Sequence, residues 1–199
     1  MSERDAIRDY LWLPWEQAGS EHLRLWPSAQ GSDIQVDSQL VIPSDDGAHL
    51  LRGSYRIVLD AAWRVRSVRV ACEQEDGTAL GIALQSDRAG RWRDGSGTDL
   101  PELDGCIDID IAATPFTNTL PIRRLDLALG QPVEIRVAYI ATPTLDLSAM
   151  TQRYTRLDAG TVRYESLRNG APVFSRDLAV DADGIVVTYP ALFRRVWPT

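Results

Sequence analysis

A chain of 199 residues with 44% hydrophobic and 25% charged content is long enough for one domain with a substantial core, and its proportions are those of a soluble globular protein. The net charge is −7, the pI is near 4.8, and all 21 basic residues are arginine. An acidic chain without a basic block excludes nucleic acid and anionic membrane surfaces as partners, because both select clustered positive charge.

The opening "MSERDAIRDYLWLPWEQ" carries acids among its first residues and no long apolar run, so it does not read as a secretory signal. No stretch approaches the roughly 20 apolar residues of a membrane-spanning helix. Cys72 and Cys106 show neither CxxC nor metal-ligand spacing, and both sit in apolar, strand-like surroundings. A cytoplasmic protein without integral membrane association, metal or cofactor is the expectation.

Residues 2–11 read as one short helix, with Ser2 as N-cap and Ile7, Tyr10 and Leu11 on one face. Beyond it, period-two alternation dominates. "YRIVLD" places Tyr55, Ile57 and Leu59 on one side. In "RVRSVRVAC" the apolar parity switches between Val65 and Val68, which predicts a bulge or strong bend. "IRVAYI" groups Ile135, Val137 and Tyr139, and "TVRYESL" alternates Val162 and Tyr164 with Arg163 and Glu165. "FSRDLAV" sets Phe174, Leu178 and Val180 against Ser175, Asp177 and Ala179, with Arg176 interrupting the apolar face. Turn signals recur at Asp46-Gly47, Asp76-Gly77, Asp94-Gly95, Asn169-Gly170 and Asp183-Gly184. No repeat or linker interrupts the pattern. The reading is an all-β single domain over residues 1–199, a twisted antiparallel roll or incomplete barrel with at most one or two short helices.

The central stretch "CIDIDIAATPFTNTLPIRRLDL" stands out. In "CIDIDI" the isoleucines share one face while Cys106, Asp108 and Asp110 share the other. "AATPFTNTLP" reads as an ordered loop bounded by Pro115 and Pro121, stiffened by Thr114, Thr117, Asn118 and Thr119. "RRLDLAL" reads as a second strand, with Arg123 on the leucine face and Arg124 opposite. A guanidinium at position 123 then needs a partner, and Asp108 and Asp110 are the candidates. Two uses stay open: an Arg–Asp staple that holds the loop, or a polar patch at a cavity mouth that recognises hydroxyls or a charged head group.

The same stretch, "GCIDIDIAATPFTNTLPIRRLDL", resembles the hallmark of a bacterial family named for glycolipid binding, formerly a domain of unknown function. "GSYRIVLDAAWRVRSVRV" and "GRWRDGSG" upstream, and "YIATPTLDLSAMTQRYTRLDAGTVRYES" and "VDADGIVVTYPALFRRV" downstream, extend the resemblance over about residues 12–196. It implies a rolled β-sheet around an apolar interior, similar in shape to carriers of lipids and lipoproteins, and a glycolipid or lipid-like partner. It implies no catalytic residues.

Candidate ligand-binding residues are Asp108, Asp110, Thr117, Asn118, Thr119, Arg123 and Arg124 of the central stretch, with Trp63, Trp92 and Tyr154 as aromatic lining. Arg194 or Arg195 joins the aspartate network if the C-terminal segment packs beside it. The alternatives are an enzyme on a sugar or small carboxylate using the Asp108/Asp110 pair, which a strand spaces roughly 7 Å apart, and a structural or interaction module.

Overall fold

The structure, a computed structural model, describes residues 7–27, 33–44 and 46–198. Its strands are β1 (Arg8–Pro14), β2 (Ser20–Pro27), β3 (Ile34–Pro43), β4 (Leu50–Leu59), β5 (Val65–Glu73), β6 (Ala79–Ser86), β7 (Trp92–Asp94), β8 (Asp108–Ile111), β9 (Pro132–Ile140), β10 (Leu147–Arg156), β11 (Thr161–Arg168), β12 (Ala171–Val180), β13 (Val186–Tyr189) and β14 (Phe193–Trp197). They form one sheet in the order β7-β6-β5-β4-β3-β2-β1-β14-β13-β12-β11-β10-β9-β8. Two meanders therefore meet where β1 pairs with β14. Every pairing is antiparallel except β8 with β9. The all-β roll expected from the sequence is present, as a large open sheet.

Local chemistry sets the elements. The parity switch between Val65 and Val68 is a bulge: Val58 faces Ser67 while Leu59 faces Val65, which leaves Arg66 as the extra residue. Asp46, Asp76 and Asp94 each accept the amide two residues on, from Ala48, Thr78 and Ser96, and so fold their own turns. In the last turn Asp181 does this for Asp183 and Ile185.

Two expectations are overturned. The helix over residues 2–11 is absent from residue 8 onward, where β1 buries Tyr10 and Trp12 in alternation; residues 2–6 lie outside the described residues. The strand expected over 123–129 is also absent. Phe116–Asn118 form a 3-10 turn that runs into the one-and-a-half-turn helix α1 (Thr119–Arg124). Pro121 is tolerated there because first-turn amides have no intrahelical acceptor.

The two sheet edges approach each other between β7 and β8. The Gly105 amide donates to Gly90 O at 2.9 Å, and the Trp92 indole donates to Cys106 O at 2.7 Å. Backbones come so close that a Cβ at Gly90 would lie 3.0 Å from Gly105 Cα. Among the described residues, the central segment packs into the space beneath the sheet. Phe116 and Leu120 of the central segment are fully buried among Trp12, Leu23, Ile57, Ile109 and Ile111, so the chain itself occupies the interior that the family resemblance implies. A second cluster gathers Ile122, Tyr154, Val162, Tyr164, Leu178 and Tyr189.

Candidate functional site

The central segment is pinned by four polar contacts to three strands. Thr114 Oγ1 donates to Glu21 of β2 at 2.6 Å. Thr117 Oγ1 donates to Asp110 of β8 at 3.1 Å. Tyr154 of β10 donates its hydroxyl to Asn118 Oδ1 at 3.0 Å. Arg124 forks onto Asp108 of β8, with Nε 3.0 Å from Oδ1 and Nη2 2.5 Å from Oδ2. The alternation of "IDIDI" thus has a physical cause. Isoleucines on one face enter the main core, and aspartates on the other receive the segment that folds back over them.

Asp108 is fully buried and both its oxygens are taken by Arg124. Asp110 differs. It is half-buried, and its hydrogen-bond donors are neutral: Thr117, and Gln152 Nε2 at 2.6 Å. Burial pushes its carboxyl above the usual range, opposed by those two bonds. A carboxylate offers about four acceptor positions, so it retains capacity for further donors.

Aromatic rings surround this carboxylate. Tyr154 and Tyr164 are held above their ordinary ionisation range first by burial and then by Asp110, Tyr189 by burial, then Tyr164 and then Asp110; Tyr139 shifts the same way through burial and Asp110. Tyr164 packs edge-on against Phe174 and Tyr189, each at 6.1 Å between ring centroids. Tyr189 continues the row to Phe193 at 6.4 Å. Gln152 also donates to the Tyr164 hydroxyl at 3.2 Å, and its Oε1 lies 3.0 Å from the Tyr154 hydroxyl, whose single proton is shared between Gln152 and Asn118. Tyr139, Phe174 and Arg176 are half-buried, and the Arg176 guanidinium lies 4.5 Å over the Phe174 ring. Val133, Ile135 and Leu125, half-buried as well, pack against the same cluster.

Other predicted site residues lie elsewhere. Arg123 does not pair with the aspartates. It is on the exposed side of α1, donates to the Asp183 carbonyl, and stacks over Trp63 with Cζ 4.3 Å from the ring centroid. The strand expected to turn it inward is a helix instead. Trp63 is nearly buried beneath it. Trp92 is a core residue at the seam, 1% exposed. Thr119 is fully buried, and its hydroxyl has no partner among the described residues. Arg194 and Arg195 do not reach Asp108 or Asp110: Arg194 lies over Trp15, and Arg195 Nη1 pairs with Asp181 at 2.6 Å.

Sequence reasoning missed Gln152 as Asp110's partner, Tyr164 and Tyr189 as its neighbours, and a second buried polar cluster. In that cluster Glu21, 1% exposed, accepts hydrogen bonds from Ser38, Tyr55 and Thr114. A signal for Glu21 was available, since it shares strand parity with the buried Leu23 and Leu25.

A sequence model of the family described as "Putative glycolipid-binding" matches residues 9–195. Among solved structures, the crystal structure of a DUF1089 family protein from Pseudomonas aeruginosa is similar over 92% of this chain and 95% of its own, with 43% identity and a TM-score of 0.82. No curated protein matches the sequence.

Proposed function

This chain belongs to the family described as "Putative glycolipid-binding", and from that premise we propose that it binds an amphipathic ligand with a hydroxyl-rich head on the sheet face that carries Asp110. The observation that carries the reading is a half-buried carboxylate whose hydrogen-bond donors among the described residues are all neutral, near Tyr139, Tyr164 and Tyr189, with Phe174 packed against the last two. Pairs of sugar hydroxyls are suitable donors for the free acceptor positions of such a carboxylate, and aromatic faces suit the apolar faces of a pyranose ring. Val133, Ile135 and Leu125 offer half-buried apolar surface for the tail beside that polar centre. Burial there contributes about 25 cal/mol per Å² of apolar surface covered.

The head group is therefore read by Asp110 and Gln152, with Thr117 and Asn118 holding them in place. Asp108 serves as an anchor for Arg124. Two free, buried thiols fit a reducing compartment, so we assign the protein to the cytoplasm.

Calorimetric titration with a short-chain alkyl glycoside, and with the alkyl alcohol of the same length, tests the reading. The glycoside should bind more tightly than the alcohol. Asp110→Asn should weaken it by about tenfold or more, since a hydrogen bond to a charged group is worth roughly 1.5–3 kcal/mol. Phe174→Ala, at a half-buried position, should weaken it while leaving the fold intact. Equal binding of glycoside and alcohol, or wild-type affinity in both variants, would show the reading to be wrong.

A further inference from the structure

We propose that the protein carries a second binding site, specific for a phosphate group, in the arginine-lined groove at the end of the roll formed by the β4–β5 and β12–β13 turns. The groove has a volume of about 480 Å³ and is lined by Trp63, Arg123, Arg124, Arg156, Asp183 and Gly184, together with small alanines. The inference does not depend on the reading of Asp110, because none of these residues contacts that carboxylate through a hydrogen bond or ion pair found in the described structure.

Three arginines line this groove in a chain whose net charge is −7. Each is held by a different device. Arg124 projects from the end of α1 and is fixed from behind by the buried Asp108. Arg123 is fixed by its stack on Trp63 and its bond to the Asp183 carbonyl. Arg156, at the end of β10, bonds at 3.4 Å to Ala159 O within its own turn. Gly184 makes the approach possible: a Cβ there would come within 3.3 Å of both Arg123 Cγ and Ile122 Cγ2.

Of these arginines, Arg124 is neutralised by Asp108 and Arg123 shares Asp183 with Arg8, which leaves Arg156 without an ion-pair partner among the described residues and two arginines competing for one carboxylate. Asp183 is already held at 3.0 Å by Arg8 and lies 3.6 Å from Arg123. Asp60 and Asp158 accept backbone amides of their own turns. Gathering like charges carries a repulsive cost that a bound anion removes. Guanidinium forks match the oxygen geometry of phosphate, and a groove of this size takes the phosphate together with part of whatever bears it. A free phosphomonoester and a phospholipid head share that chemistry.

The test follows the arginine Nε–H and Trp63 indole resonances during titration with inorganic phosphate at constant ionic strength, with chloride as the reference anion. Saturable shifts at Trp63, Arg123 and Arg156 with phosphate and not with chloride are expected. Arg156→Gln should weaken phosphate binding about tenfold, as the loss of one charged hydrogen-bonding partner implies. Arg163→Gln, on the outer face of β11 and paired to Asp177, should leave it unchanged. Co-sedimentation with phosphatidylcholine vesicles, with and without phosphatidic acid, separates the two sources. Retention on the phosphatidic acid vesicles identifies a lipid head, and phosphate binding without retention identifies a soluble phosphate ester; both support the site. Absence of a saturable shift, an equal response to chloride, or wild-type affinity in Arg156→Gln overturns it.

Discussion

Arg124 clamps Asp108 from within the same sequence motif, sixteen positions on, and the pair closes the central segment onto the edge strand β8. The carboxylate is fully buried and the arginine side chain is 13% exposed. Burial raises the Asp108 pKa, against the hydrogen bonds and charge of Arg124. Removing one partner therefore strands the other in a medium that does not solvate it.

Arg124→Ala should lower unfolding stability by about 3–5 kcal/mol, read from urea denaturation. The double change Asp108→Leu with Arg124→Met should cost markedly less, because no unpaired charge remains. A double variant as damaged as the single one would show that packing, and not the uncompensated charge, is what Arg124 contributes.

Glu21 makes stability depend on pH. Burial pushes its carboxyl from the usual 4.5 up to about 7, although hydroxyls of Thr114, Tyr55 and Ser38 pull it down. Because the folded-state value is raised, the folded protein keeps a proton that the unfolded chain has already lost. The contribution is thus complete below pH 4.5 and is lost as pH rises to about 7. The loss amounts to roughly 3 kcal/mol at most, taking about 1.4 kcal/mol per pH unit. Glu21→Gln should flatten the urea midpoint across that window; an unaltered slope would remove Glu21 as its source.

At the seam, Trp92→Phe keeps most of the ring volume and deletes the hydrogen bond to Cys106 O. The orphaned carbonyl should cost about 1–3 kcal/mol. Gly90→Ala should also open the seam, since φ there is +98° and the added Cβ would press on the Gly105 backbone. Hydrogen exchange in both variants should rise first at the Gly105 and Leu103 amides and last in β3 and β4. Uniform acceleration across the sheet would mean that the edges are not held by this contact.

Much of the sheet was legible because alternation and turn chemistry are local. Tyr55, Ile57 and Leu59 are all buried in β4, as their shared parity predicts, and the bulge at Arg66 follows from a parity switch alone. The first strand was misread since Ile7, Tyr10 and Leu11 also fit a helical face; the Tyr10–Trp12 alternation was the better signal, and a neighbouring β2 decides the outcome. The stretch 112–129, read as a loop over 112–121 followed by a strand over 123–129, was misread for the opposite reason. Its arginine–leucine run alternates, yet Pro121 and burial of Leu120 and Ile122 favour a turn of helix packed under the sheet. That error moved Arg123 to the wrong face and concealed Arg124 as the partner of Asp108. Asp110 was recognisable as unusual from "IDIDI", whereas its partner Gln152 lies 42 residues away and carries no local mark. Pairings at such separations are set by sheet order, which a single sequence does not display.

The most direct test of ligand binding on the Asp110 face is native mass spectrometry of the protein isolated from its own cells, with solvent extraction of whatever remains bound. The account predicts a discrete adduct whose fragments include a sugar and an acyl or alkyl chain, and which is absent from Asp110→Asn purified in parallel. An adduct without a hydroxyl-rich head, or one retained unchanged by Asp110→Asn, would contradict it.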